Sequence, residues 1–233
     1  VVTAPFYELD GQLAIDLPGA RGVFTTASWG DLRTSLGQVA QRLEVDAVRA
    51  HQVHGNTAVL LSEDLNEPAN SGSARALSDD ADALLSTRPG VAPTVITADC
   101  IPVLISSGTA VAAVHAGWRG LHDEVLMAAV AQLHRLEPDA ELVAAIGPGA
   151  GPCCYEVSEE LHRRFEARGL GYRVGSSRRL DLHAIAYRQL SELGVAEIHC
   201  SGVCTICSMK PRMFSYRREG DAAGRQGALI WLT

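Results

Sequence analysis

From residue 94 onward the chain alternates between two kinds of apolar pattern. Residues 94–98, 102–106, 109–114 and 142–146 are short β-branched or aliphatic runs, the length and composition of buried strands. Ser107-Gly108 marks a turn between two of them, and Gly147-Pro148-Gly149 ends the last. Between the runs the period changes. Leu121, Val125, Leu126, Ala129, Val130 and Leu133 recur at helical spacing and predict one helix with a single apolar face. Val157, Leu161 and Phe165 predict a second helix. Leu182, Ile185, Ala186 and Leu190 predict a third, with Asp181 placed to cap it. Upstream, 47–52 and 57–62 read as strands joined through the turn signal His54-Gly55-Asn56. Downstream, short strands are expected around Ile198, at 214–217 and at 228–232. The polar stretch 63–80, with Pro, Gly and Ser, reads as a surface loop. Such alternation gives an α/β or mixed α+β class, best drawn as two sheets covered by helices in layers. No break in composition divides the chain, so 1–233 is read as one domain.

Composition narrows the function classes. The chain has 233 residues, 47% hydrophobic and 20% charged, enough to build a core without disulfide staples. Six cysteines in a chain of this length, with no basic-then-apolar start, give an expectation of reduced thiols in the cytoplasm. No apolar run approaches the roughly 18 residues of a membrane span, so no membrane association is expected. A net charge of -7 with no basic face argues against nucleic acid as a partner. A local cluster of arginines can still hold a small anion, because net charge does not fix the potential inside a cleft. Nothing in the pattern sets an oligomeric state.

Three stretches concentrate residues with chemistry. His51-Gln52-Val53-His54-Gly55 carries two histidines three positions apart, an offset that on a strand places them on opposite faces, so only one faces a given pocket. Thr97-Ala98-Asp99-Cys100 puts an acid and a thiol where one strand ends and the next begins. Val114-His115-Ala116-Gly117-Trp118-Arg119-Gly120 runs from a strand through a histidine into a helix, whose first N–H groups and Arg119 favour an anion. Each has a plainer reading: edge histidines, a small buried thiol, a tight turn with Trp118 in the core. Together, two imidazoles and one thiolate are a ligand set for a catalytic zinc with its fourth position open. His54, Cys100 and His115 are therefore the candidate metal ligands.

Two further groups stand out. Cys204-Thr205-Ile206-Cys207 has metal-knuckle spacing, to be completed by Cys200 or the Cys153-Cys154 doublet. The doublet lacks the two-residue gap and Cys200 is single, so these cysteines are read as ordinary buried thiols. Near the C-terminus Arg212, Arg217, Arg218 and Arg225 interleave with Phe214 and Tyr216. Arg217 and Tyr216 are candidates for binding an anion and stacking a base. Arg212 and Arg218 read as solvated charges on an edge strand.

The stretches HQVHGN at 51–56, ADALLS at 81–86, TADCIPVLI at 97–105, AAVHAGWRG at 112–120, AAIGPGAGPCCYEV at 144–157 and CTICSMKPRMFSYRREGDAAGRQGALIWL at 204–232 resemble the multicopper-polyphenol-oxidase-like family, also called the laccase-domain or YfiH-like family. The resemblance implies a layered α-β-β-α sandwich. It implies phosphorolysis of adenosine, inosine, guanosine and methylthioadenosine, with purine nucleosides and phosphate as partners, and adenosine deamination in the same pocket. The family's metal lies on the His of the QVHG block, the Cys of the TADC block and the His of the HAGWRG block. These are His54, Cys100 and His115 here, holding one Zn2+ per chain, with Cu2+ as the alternative. Cys100 and His115 are also the expected catalytic residues, and Asp99, beside Cys100, is expected to orient a ligand histidine or move a proton. Arg119 is expected to hold phosphate, with Arg217 and Tyr216 also on the substrate. Residues 24–30 depart from the family, which carries Thr-Arg-x-Gly-Gly there; the Arg is absent and the loop short, which bears on specificity.

Other functions use the same residue types. The resemblance also implies copper-dependent phenol oxidases and cell-wall peptide editing among relatives. Laccase chemistry calls for several coppers and more paired histidines than eight with one close pair. A metal-free cysteine hydrolase would use Cys100 as nucleophile and His115 as base. A scaffold with purely structural zinc would turn nothing over. Metal stoichiometry and turnover separate these readings.

Overall fold

The computed structural model describes residues 4–61, 72–167 and 178–233. Its strands form two sheets. The seven-stranded sheet runs, edge to edge, β1 (Tyr7–Leu9), β2 (Gln12–Leu17), β3 (Ala20–Phe24), β13 (Gln226–Leu232), β8 (Val91–Thr97), β4 (Asp46–His51) and β6 (Ala74–Asp80). The six-stranded sheet runs β12 (Glu197–Cys200), β11 (Val143–Ile146), β9 (Ile101–Ser106), β10 (Val111–Ala116), β7 (Ala83–Ser86) and β5 (Ala58–Leu60).

Alternation along the central strands explains the layering. Leu104, Ala113 and Ala145 point into a shared core with Ile15, Val95 and Ile230 of the other sheet. Their neighbours Val103, Ile105, Val114 and Ile146 point the opposite way, onto the apolar faces of α3 (Val125–Leu136) and α5 (Leu182–Glu192). Covered on both faces, β9, β10 and β11 are buried at every residue, which is why they read as unbroken apolar runs. On the far side α1 (Leu32–Leu43) packs Leu32, Leu36 and Val39 against Ala14, Val23 and Leu229. The order of layers is α-β-β-α. Each fully buried leucine in these seams contributes about 1.5–3 kcal/mol.

Several elements differ from the pattern's expectation. The helix expected across 121–133 is two, α2 (Trp118–His122) and α3, broken where Glu124 adopts a φ of 68°. Leu121 and Val125 are buried on either side of the break, so the apolar spacing continues through it. Residues 74–80, read as loop, form β6, which pairs in parallel with β4 along one edge only. Its side chains are largely exposed, so it carries no apolar signature. The earlier part of that loop, at 63–71, lies outside the described residues. Residues 214–217 are not a strand. Ser215 caps a short helix, α6 (Tyr216–Glu219), by accepting the Arg218 N–H at 3.2 Å. The first 45 residues, for which the pattern gave no element, supply β1, β2, β3 and α1. The second expected helix forms as α4 (Glu159–Ala167), and the third as α5 with its cap as expected, Asp181 Oδ1 accepting the Ala184 N–H at 3.0 Å. Among the described residues no helix is long and apolar enough to cross a membrane.

Candidate active site

Asp99 and Cys100 occupy the crossing from β8 in one sheet to β9 in the other. His115 lies near the end of β10, opposite Pro102. His54 sits in the turn that leaves β4, with a left-handed φ of 62°. Sheet geometry therefore brings three distant residues together. One ligand atom from each of His54, Cys100 and His115 lies within 4.8 Å of the others. The two imidazoles meet edge to face, centroids 4.7 Å apart. Gly117 makes this closeness possible, since a Cβ there would stand 2.9 Å from Cys100 Sγ and 3.1 Å from His54 Cδ2.

Asp82, just before β7, organises the group. It is fully buried, and its Oδ1 lies 2.7 Å from His115 Nδ1. The same carboxylate accepts the backbone N–H groups of Val53 at 3.2 Å, His54 at 3.0 Å and Gly55 at 2.7 Å. One side chain thus fixes the ring of one candidate ligand and the strained turn carrying another. With Nδ1 engaged, His115 keeps Nε2 for a cation. The sequence reading gave Asp82 no role; the available signal was an acid heading a buried apolar run, a position that needs partners. Asp99, expected to orient a ligand or move a proton, is engaged elsewhere. Its Oδ1 accepts the Thr205 hydroxyl at 2.6 Å, and its Oδ2 accepts the Ser215 hydroxyl at 3.1 Å and the Arg217 N–H at 2.7 Å. The histidine-orienting contact belongs to Asp82.

Electrostatics follow from these contacts. Burial pushes the Cys100 thiol up, but His115 and His54 outweigh it and bring it down to about 6. Burial pushes His115 down, and the Cys100 sulfur with Asp82 carries it up to about 9. Burial also works against the Asp82 carboxylate, yet its bonds to His115, Gly55 and Val53 hold it below the usual range. A thiolate and two imidazoles with an open side fit zinc, and copper shares the preference.

The trio lines a cavity of about 570 Å³, a volume suited to a small organic ligand. Asp99, Arg119, Tyr216 and Arg217 line it too, so all the candidate residues meet in one place. Three arginines lie over aromatic rings there: Arg119 over Trp118 at 4.6 Å, Arg217 over Tyr155 at 5.0 Å and Arg225 over Tyr216 at 6.0 Å. Arg217 also donates to the Glu156 carbonyl at 2.7 Å, and Arg225 to the Ala223 carbonyl at 2.8 Å. Arg49 adds a fourth cation. An acidic chain therefore carries a basic cleft. Tyr155 went unnoticed in the sequence. Arg218 turns away to hold the carbonyls of Thr205, Ile206 and Met213. His51 pairs with Asp80 at 2.7 Å instead of joining the trio. Residues 24–30 do not line this cavity.

The family described as multi-copper polyphenol oxidoreductase laccase matches residues 31–233. This chain belongs to that family. The laccase-family match begins at the cap of α1 and takes in the trio, Asp82 and the arginine-lined wall. A purine nucleoside phosphorylase of Pseudomonas aeruginosa is 39% identical over 204 residues, covering 84% of this chain and 78% of that protein. One from Clostridium acetobutylicum is 36% identical over 160 residues, 65% of this chain and 66% of that protein, just under two thirds of its length. The crystal structure of the hypothetical protein YfiH from Bacillus licheniformis superposes with a TM-score of 0.83, covering 99% of this chain and 100% of that one. At 23% identity it speaks to the fold alone.

Proposed function

We propose that this laccase-family chain is a zinc-dependent purine nucleoside phosphorylase, converting a purine nucleoside and phosphate to the free base and ribose-1-phosphate. The observation that carries this is the convergence of His54, Cys100 and His115, braced by Asp82, in a cavity lined by four arginines and aromatic rings. The names of the Pseudomonas and Clostridium relatives support the same activity. Adenosine, inosine, guanosine and methylthioadenosine are the proposed substrates, and deamination of adenosine the second activity of the same cavity.

In phosphorolysis the bond from C1′ to the purine nitrogen breaks with its electron pair leaving on the base, a phosphate oxygen bonds C1′ from the opposite face, and the proton that phosphate carried ends on the base nitrogen. The guanidinium of Arg119 offers paired donors that match phosphate oxygens, and Arg217 and Arg225 add positive potential. Trp118, Tyr155 and Tyr216 supply ring surface for the purine. Asp82 keeps the Nδ1 of His115 occupied, which fixes the ring's orientation and tautomer. Zinc held by His54, Cys100 and His115 would supply Lewis acidity to this cavity.

The test uses protein of measured metal content, inosine and phosphate. Hypoxanthine and ribose-1-phosphate are expected, both lost in Cys100→Ala and on metal removal, and restored by zinc. Arg119→Ala is expected to raise the KM for phosphate. Ammonia release from adenosine tests the deaminase activity. Undiminished turnover by fully metal-stripped protein would end the proposal.

One contact favours a second reading. His115 lies between Asp82 and Cys100, the arrangement of a Cys-His-Asp hydrolase that needs no metal. Metal-free protein that cleaves an acyl substrate while leaving inosine untouched would select it. For a laccase-type oxidase, the described residues offer one ligand group that contains histidine, and oxygen uptake on a phenol measures that activity directly.

A further inference from the structure

The proposed activity makes no use of four cysteines that form a second cluster. β11 and β12 are adjacent parallel strands, so the loops that follow them leave the same end of the sheet. Cys153 and Cys154 lie in the first loop, Cys204 and Cys207 in the second. The loops are laced together by backbone bonds, from the Thr205 N–H to the Gly149 carbonyl at 2.9 Å and from the Gly149 N–H to the Val203 carbonyl at 3.2 Å. At this junction the four Sγ atoms lie within 4.8 Å of one another.

The spacing of the sulfurs is informative. Cys153 Sγ and Cys207 Sγ are 3.6 Å apart. A disulfide needs about 2.05 Å. Four sulfurs placed tetrahedrally at about 2.3 Å from a zinc ion lie about 3.8 Å from each other. The Cys204–Cys207 turn is also shaped as a ligand loop. The Ser208 N–H closes it onto the Cys204 carbonyl at 3.0 Å. The Gly151 N–H points at Cys204 Sγ from 3.3 Å, and the amides of Cys207 and Ile206 are directed at the same sulfur. Backbone donors gathered on one sulfur are the environment of a thiolate ligand. Cys204 is buried while Cys153 and Cys207 are exposed, so an ion can enter from solvent. The doublet lacks the gap of a second C-x-x-C, but consecutive residues in a turn need not point to opposite sides as they do on a strand.

We propose that Cys153, Cys154, Cys204 and Cys207 hold a structural zinc ion as a tetrathiolate, distinct from the His54, Cys100 and His115 group. Four sulfurs with no open position make a closed site, suited to fixing structure. The clip anchors the cavity wall through the residues next to it. Tyr155 follows Cys154 and lines the cavity, and Thr205 follows Cys204 and donates to Asp99.

Cobalt(II) is the probe, and the Cys100→Ala chain the first subject, because its other metal group then has no sulfur. Metal-free Cys100→Ala protein is expected to take up Co2+ with the strong visible and sulfur-to-metal charge-transfer bands of tetrahedral thiolate coordination, and to lose them when Zn2+ is added. Adding Cys204→Ser and Cys207→Ser should abolish the bands. In the unaltered chain, zinc is expected at both groups, with the four clustered thiols slow towards a thiol reagent until a strong chelator is present. Absence of thiolate bands from Cys100→Ala protein overturns the proposal. So does finding the four thiols freely reactive in zinc-loaded protein, or Cys153 joined to Cys207 in a disulfide. The unaltered chain and Cys100→Ala give these answers without any substitution in the cluster, so misfolding of the serine variants cannot hide the result. Failure here leaves the proposed phosphorylase reading intact, and failure of that reading leaves the clip intact.

Discussion

Replacing Asp82 by Asn changes almost no volume yet removes the negative charge and half of the accepting capacity of a fully buried group. The two oxygens divide the work. Oδ1 serves His115 Nδ1 and the His54 N–H, while Oδ2 serves the N–H groups of Val53 and Gly55. An asparagine must present its amino group to one of these pairs. If it faces His115, it drives that ring toward the tautomer with its proton on Nε2, the nitrogen left for the metal. If it faces Val53 and Gly55, the left-handed turn that carries His54 loses two of its three anchors and keeps only the His54 N–H bond. A fully buried donor left without an acceptor costs about 1–3 kcal/mol; Val53 and Gly55 are partly reached by solvent, so the pair should cost at most the lower part of about 2–6 kcal/mol. Loss of such an outer contact weakens metal binding by about 10–100-fold. The assay is competition for zinc between the protein and a chromogenic chelator, with thermal melting of the metal-free chain measured alongside. Asp82→Asn should melt lower and yield zinc to the chelator more readily, and phosphorolysis should fall with it. A variant holding zinc within twofold of the unaltered chain, at an unchanged melting temperature, would refute the bracing role.

Gly117→Ala should act on the metal group without straining the backbone, because Gly117 has φ -71° and ψ 170°, which any residue adopts. Its new methyl meets Cys100 Sγ and the His54 ring, so overpacking of about 1–3 kcal/mol should fall on the ligands. Weaker zinc binding and a lower kcat/KM are expected, and an unchanged zinc affinity would contradict the packing argument. His183 supplies a pH prediction. Burial holds its imidazole below the ordinary value, against the weaker pull of Asp181 and the Gly147 carbonyl. A folded-state value below the unfolded one means that the unfolded chain binds the extra proton first. Its contribution is complete above the unfolded value of about 6.5 and is lost as pH falls toward the depressed folded value, at most about 1.4 kcal/mol per pH unit. Melting temperatures of His183→Gln measured across this window should fall less steeply on acidification than those of the unaltered chain; parallel curves would exclude the histidine as the cause.

Wherever a signal is local, the sequence by itself determined the outcome. β9, β10 and β11 were legible because strands covered on both faces must be apolar at every position, and α5 because its apolar spacing and the Asp181 cap lie within one stretch of chain. Residue types marked His54, Cys100 and His115 as candidates and the blocks around them carried the family resemblance, but the sheets decided that the three meet at one point. Tertiary structure decided whatever depends on a distant partner. β6 exists because β4 offers an open edge, and an exposed edge strand needs no apolar pattern. Ser215 turns residues 214–217 from strand into helix while its hydroxyl reaches Asp99, 116 positions away. Asp82 braces a turn 27 to 29 residues before it and a ring 33 residues after it. The cysteine doublet failed a spacing rule that assumes ligands paired along the chain, yet two parallel strands deliver all four sulfurs to one point. Periodicity records which face of an element is covered; only the packed layers decide what covers it and which buried charges come to share a partner.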